Sequence, residues 1–178
     1  MNKSGPIYKT QFKRRIEQKT DYKKRLAILK SKKDRFVLRI SNSLVNAQII
    51  KYDKDGDKTI IAATSKELVS LGYTGNLKNT PAVYLTSFLL ANKAKKQNIE
   101  EVVFDLGARN YKSGNKIFAG LKAIVDAGII CPHNEKAFPK QDRIEGKVIA
   151  GHLKKPVDKD FMAVKEKILK MWWFYVCI

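Results

Sequence analysis

Acidic residues are scarce in this chain: 17 Asp and Glu stand against 36 Lys and Arg, a formal net charge of +19 over 178 residues. Long apolar runs are missing too, and no stretch approaches the roughly 18 apolar residues that span a bilayer. Cysteine is limited to Cys131 and Cys177, with no CxxC spacing, which fits a reduced compartment where structural disulfides are rare. The two histidines, His133 and His152, come with neither a nucleophile nor a ligand set. Met1 to Arg15 is polar and basic and lacks the apolar segment of a secretory signal. The expectation is therefore a soluble intracellular chain with no membrane partner.

What is present is a core-forming apolar fraction of 44% and a very uneven distribution of charge. Residues 1–35 hold 13 of the Lys and Arg and only three acids, Glu17, Asp21 and Asp34. The run Lys13-Arg14-Arg15, Lys19, Lys23-Lys24-Arg25, Lys30, Lys32-Lys33 and Arg35 is interleaved with Phe12 and Tyr22. Guanidinium forks suit phosphate, and aromatic rings stack on unpaired bases. Neutralising phosphates also releases counterions, so nucleic acid is the first candidate partner. A basic membrane-surface tail is disfavoured because no sustained apolar face accompanies the charge. Mutual repulsion predicts an arm without fixed structure before RNA arrives; its only helical hint is Lys19 to Leu29, where Tyr22, Leu26 and Leu29 share a face.

From Phe36 the pattern turns to short strands. Phe36, Leu38 and Ile40 alternate, Ser41-Asn42-Ser43 is a turn, and Leu44 to Tyr52 returns with Val45, Ala47 and Ile49 in register. Asp53 to Asp57 is a second turn in which Gly56 adopts positive φ, and Lys58 to Thr64 is a third strand. A calcium loop starting at Asp53 would place its twelfth ligand at Thr64, so a hairpin turn explains the acids better. After the loop Leu71 to Asn79, Thr80-Pro81 caps and opens a helix to about Gln97, with Leu85, Phe88 and Leu89 inward and Lys93 to Lys96 solvated. Glu101 to Leu106 is a fourth strand, and Asn115 to Ala127 an amphipathic helix ended by Gly128. A further helix is predicted from Asp158 to about Trp173, with Phe161, Val164, Ile168 and Leu169 on one side. The pattern predicts an α/β fold: a three-strand antiparallel meander, then helix, strand and helix, forming a mixed-sheet sandwich. The expected divisions are 1–35 as basic arm, 36–133 as core and 134–178 as C-terminal extension. The apolar end 171–178, with Trp172 and Trp173, either docks a partner or folds back.

Two constellations bear on chemistry. Ser113-Gly114-Asn115-Lys116 is a glycine turn into a helix N-terminus, where free amides attract phosphate and Arg109 and Lys112 add charge. Its spacing is not that of a Walker loop. Asp105, Asp126 and the Asp53 group are scattered carboxylates from which a metal-dependent nuclease could in principle be assembled, but nothing in their spacing brings them together.

The segment Ser113-Gly-Asn-Lys-Ile-Phe-Ala-Gly-Leu-Lys-Ala-Ile-Val-Asp-Ala-Gly-Ile-Ile-Cys-Pro-His133, with Phe138-Pro139, closely resembles the universal large-subunit ribosomal protein family that binds 5S rRNA, in its archaeal and eukaryotic branch. Lys19-Thr-Asp-Tyr22 with Arg25, Arg39-Ile-Ser-Asn42 with Gln48-Ile49, and Asn79-Thr80-Pro81-Ala82 are similar to the same family, in the same order, over roughly residues 10–152. The resemblance ends after His152. It implies a non-catalytic protein of the cytoplasmic ribosome that clamps 5S rRNA onto the large rRNA at the central protuberance, beside other large-subunit proteins including the second 5S-binding one. It implies no cofactor, metal or small-molecule substrate. RNA contacts are expected at Lys13, Arg14, Arg15, Lys19, Tyr22, Lys23, Lys24, Arg25, Lys32 and Arg35 of the arm. Further contacts are expected at Arg39, Ser41 and Asn42, at Asn76 and Lys78, and at Arg109, Lys112, Ser113, Asn115 and Lys116. The rival readings are an RNA-processing nuclease and a free RNA chaperone.

Overall fold

A computed structural model describes residues 5, 9–108, 111–153 and 156–176, with side chains as far as Met171. Three strands, β1 (Asp34–Ile40), β2 (Val45–Lys51) and β3 (Lys58–Thr64), form the antiparallel meander that the alternation predicts. Gly56 sits in the second turn at φ +146°, as expected there. Two short helices precede the sheet, α1 (Lys13–Ile16) and α2 (Tyr22–Leu29). After β3 come α3 (Glu67–Ser70) and α4 (Thr80–Lys95). The next strand, β4 (Val102–Asp105), adds parallel to β1, giving the order β3-β2-β1-β4. The chain then runs through α5 (Ile117–Asp126), α6 (Gln141–Glu145), α7 (Lys147–Leu153) and α8 (Val157–Val176). The result is a mixed-sheet α/β architecture.

Alternation along the strands sorts residues between the two sheet faces. Phe36, Leu38, Ala47, Ile49, Ile61 and Ala63 are buried toward the helices, and Phe36 stacks on Phe104 at 5.2 Å. Arg35, Val37 and Arg39 fall on the opposite face. There the N-terminal arm, rather than a helix of the core, covers the sheet.

The α4 helix is capped one residue earlier than the pattern indicates: the Asn79 side chain accepts from the Ala82 amide at 2.8 Å, and Pro81 lies in the first turn. It is buried almost all round rather than on one face. The cause is the C-terminal part of the chain: Tyr84 packs on Phe161 at 5.5 Å, and Ile144, Val157, Phe161, Val164 and Ile168 join the same core. The apolar character of α4 on every side suits a helix covered by neighbours all round. Leu169, placed with that buried face by spacing, is 41% exposed instead. The far end of α4 is not simply solvated either, since Lys93 donates to Glu67 at 2.6 Å and to the Ala62 carbonyl. Those contacts, with the Thr64 amide bonded to Glu67, close part of the outer edge of β3, which would otherwise offer unpaired groups. Among the described residues no helix is long and apolar enough to cross a membrane.

Candidate nucleic-acid interface

The arm owes its shape to local hydrogen bonds and to carboxylates reached across the chain. Asp21 caps α2 by accepting from the amides of Lys23 and Lys24, both at 3.1 Å. The turn between α1 and α2 passes through Gln18 at φ +52°, with the Lys19 amide returning to the Arg14 carbonyl. Repulsion among the arm's cations predicts no fixed structure, yet ion pairs among the described residues offset it. Lys19 meets Glu17 at 2.8 Å and Lys24 lies 3.8 Å from Asp21. Arg25 meets Asp57 at 2.7 Å, Lys33 meets Glu101, and Arg35 meets Asp57 at 2.7 Å. The face of α2 expected to hold Tyr22, Leu26 and Leu29 together is only partly covered, with Leu26 58% exposed.

Beneath the arm, a chain of alternating charge links three elements: Arg25 to Asp57, Asp57 to Arg35, Arg35 to Asp105 at 3.0 Å, and Asp105 to Arg39 at 3.8 Å. Arg35 is the buried centre, 3% exposed, so its guanidinium does not reach the surface where RNA contacts were expected of it. The Nη2–Asp57 approach is close but not aligned as a hydrogen bond, and Arg35 Nε has no hydrogen-bond partner. Burial pushes the Asp57 carboxyl up, but the hydrogen bond from Arg25 and the positive charge of Arg25 and Arg35 outweigh that and hold it below its ordinary value. Arg39 remains at the rim, donating through Nη1 to the carbonyls of Leu38 and Asp105, both at 3.0 Å. Gly107, at φ +69°, donates its amide to Asp105 at 2.7 Å; a Cβ there would lie 3.0 Å from Arg39 Nη2.

The remaining arm residues, Lys13, Arg14, Arg15, Lys19, Lys23, Lys24 and Lys32, are exposed, and Tyr22 is half-buried with its ring 5.1 Å from Phe12. Ser41 is exposed but spends its hydroxyl on the hairpin turn, donating to the Leu44 carbonyl and accepting from the Leu44 amide. Asn42 is exposed beside it.

A second group gathers around the start of α5. Lys116 Nζ donates to the Lys78 carbonyl at 3.2 Å, which joins the 76–78 loop to the glycine turn. Asn76 caps the Lys78 amide, and Arg143 of α6 reaches the Gly114 carbonyl at 3.4 Å. The free amides expected at this helix start are taken: Gly114 donates to Ala137, Asn115 to Lys112, Ile117 to the Asn115 side chain and Phe118 to the Asn115 carbonyl. Ser113 likewise bonds the Lys136 carbonyl. What this turn presents is therefore cationic side chains, those of Lys112, Lys116 and Arg143, rather than the open amides expected of the helix start. Arg109 lies outside the described residues. Neither Arg143 nor the pairing of Asp57 with Asp105 is visible in the sequence; two aspartates that read as a turn and a strand end carry no signal that they organise arginines.

The carboxylates considered for catalysis are each engaged elsewhere. Asp105 holds Arg35 and Arg39, Asp126 accepts from the Tyr84 hydroxyl at 2.8 Å, and Asp53 pairs with Lys58 inside its turn. Among the described residues, no three of His, Cys, Asp or Glu are placed to hold one metal ion. His133 bonds the Cys131 carbonyl and leans on Phe138.

Comparison with known proteins points the same way. A family model for "Ribosomal large subunit proteins 60S L5, and 50S L18" matches residues 7–103. The chain is similar to large ribosomal subunit protein uL18 of Methanococcoides burtonii, 41% identical over 167 residues, which is 93% of this chain and 96% of that protein. It is 46% identical over 145 residues to uL18 of Methanothermobacter thermautotrophicus, covering 82% of this chain and 76% of that one. Against uL18 of Korarchaeum cryptofilum the figures are 44% over 155 residues, 87% and 79%.

Proposed function

Since the chain belongs to the family of large-subunit ribosomal proteins 60S L5 and 50S L18, a structural and non-enzymatic family of the cytoplasmic ribosome, we propose that it binds 5S rRNA and anchors it to the large rRNA at the central protuberance. The observation that carries this reading is the arm. It lies across the sheet face that no helix of the core covers, held there by Arg25 on Asp57, while Lys13, Arg14, Arg15, Lys23 and Lys32 stay exposed. An exposed cationic ridge fixed to a rigid sheet follows a phosphate backbone at low ordering cost.

Around this ridge, Arg39 and Asn42 extend the contact surface at one end of the meander. Lys78, Lys112 and Lys116 offer a second cationic group at the start of α5. Two separated groups suit a protein that bridges two RNA elements, and the neighbouring partners would include the other 5S-binding protein. Affinity is set mainly by phosphates and by RNA shape.

The test is binding of 5S rRNA by the full chain and by a chain lacking residues 1–32, at several salt concentrations. The truncated chain keeps Arg35 and its carboxylates and should bind more weakly with a flatter salt dependence. Equal affinity and slope for both would refute the arm's role.

A further inference from the structure

An open groove of about 830 Å3 runs between the arm and the segment that follows β4, bordered by Arg15, Gln18, Tyr22, Lys23 and Tyr111. Its volume falls in the range of about 300–1,000 Å3 typical of pockets for organic ligands. Two features give it a definite chemistry. Two phenol rings from distant parts of the sequence border one space: Tyr22 is backed by Phe12, and Tyr111 is packed against the core. The acids beside it are already engaged, Glu17 by Lys19 and Asp21 by the amides it caps, whereas Arg15 and Lys23 take part in no ion pair among the described residues.

We propose that this groove receives an unpaired RNA nucleotide, its base against Tyr22 and Tyr111 and its phosphates on Arg15 and Lys23. The inference rests on the rRNA-binding reading and adds to it a place where single-stranded rather than duplex RNA is recognised. Aromatic rings contribute nothing to a stacked duplex, whose base faces are covered, but offer a platform to a base that has left the stack. Gln18, which also lines the groove, carries both a donor and an acceptor and so can pair with a base edge. A protein segment fits less well, because the cations that border the groove, Arg15 and Lys23, suit a phosphate while the two rings suit a base.

The test uses the full chain with a dye-labelled unstructured RNA decamer and a blunt RNA duplex of equal charge, at one salt concentration. Tyr22→Leu and Tyr111→Leu each weaken the decamer about tenfold, leave the duplex unchanged, and are rescued by Tyr22→Phe and Tyr111→Phe. Because Tyr111→Leu could disturb packing, a second readout follows the ring proton resonances of both tyrosines in the unsubstituted chain. Saturable upfield shifts with the decamer and none with the duplex are expected. Equal losses on both RNAs, or no ring shifts, overturn the groove. The same shifts produced by a polyglutamate peptide would assign it to an acidic protein segment and also overturn it. If 5S rRNA binds equally to the unsubstituted and Leu chains, the groove fails and the ribosomal reading stands. If the decamer binds as described but 5S rRNA does not, the groove stands and the 5S reading fails.

Discussion

Arg25 of α2 donates a 2.7 Å hydrogen bond to Asp57, 32 residues further along the chain, and Arg35 of β1 approaches the same carboxylate oxygen at 2.7 Å from the protein interior. One aspartate in a β-turn thus holds both the outer layer of cations and the buried one. The arm is fastened to the sheet by a contact that water can reach from one side only.

The two arginines should therefore respond differently to substitution. Arg25→Ala removes a half-exposed pair and costs no more than about 1 kcal/mol, yet speeds protease cleavage within residues 9–33. Asp57→Asn also strips Arg35 of a partner and costs about 1–3 kcal/mol, read as a lower urea midpoint. Identical stability for the two variants would contradict the burial of Arg35.

Arg35 itself separates folding from RNA binding. Arg35→Gln leaves Asp57 and Asp105 facing each other without their shared cation, and a loss of about 3–5 kcal/mol is expected. Replacing Lys13, Arg14 and Arg15 by Gln leaves the melting temperature near its starting value. That triple change should flatten the salt dependence of RNA binding by about 0.7–0.9 for each phosphate no longer neutralised. A triple variant that melts early while keeping its slope would reverse the two assignments.

Acid should release the arm before it unfolds the core. The Asp57 carboxyl sits below its ordinary value in the folded chain, so its contribution is present above the unfolded carboxylate value near 3.9 and fades as pH falls through the folded one. Cleavage of the arm measured from pH 7 down to pH 3 should stay flat to about pH 4 and then rise. In Asp57→Asn the rate is already high at neutral pH and that step disappears.

Gly120 sets how closely α5 approaches the sheet. A Cβ there would lie 2.5 Å from Leu38 Cδ2 and 2.7 Å from Ser87 Oγ, both on fully buried residues. Alanine favours a helix by about 1 kcal/mol over glycine, but both neighbours are buried in the core, where overpacking costs about 1–3 kcal/mol. Gly120→Ala should lower the thermal midpoint; a rise would show that the helix can shift outward.

Much of the fold was legible because its signals are local. Alternation at Phe36, Leu38, Val45, Ala47 and Ile49, turn residues at Ser41-Asn42 and Gly56, and proline at Pro81 each act over a few residues. The helices α6 and α7 carry apolar patterns too short and weak to read as helices. Together with α8, α6 covers the faces of α4 that its own sequence leaves unassigned. The candidate interface was legible as charge but not as geometry: Arg35 reads like any other arm cation until Asp57 and Asp105 are brought against it. Tyr111 had no signal at all, being one aromatic in a loop.

A large cationic excess at the front of the chain and a small α/β core behind it follow from composition and short-range periodicity, which need no folding to be read. Which cations are offered to a partner and which are consumed in holding the arm down depends on how the chain folds in three dimensions. Strand alternation places Arg35 and Arg39 on the same face, but burial and charge pairing depend on what packs over that face, and those residues arrive from Asp21–Arg25, Asp57 and Asp105.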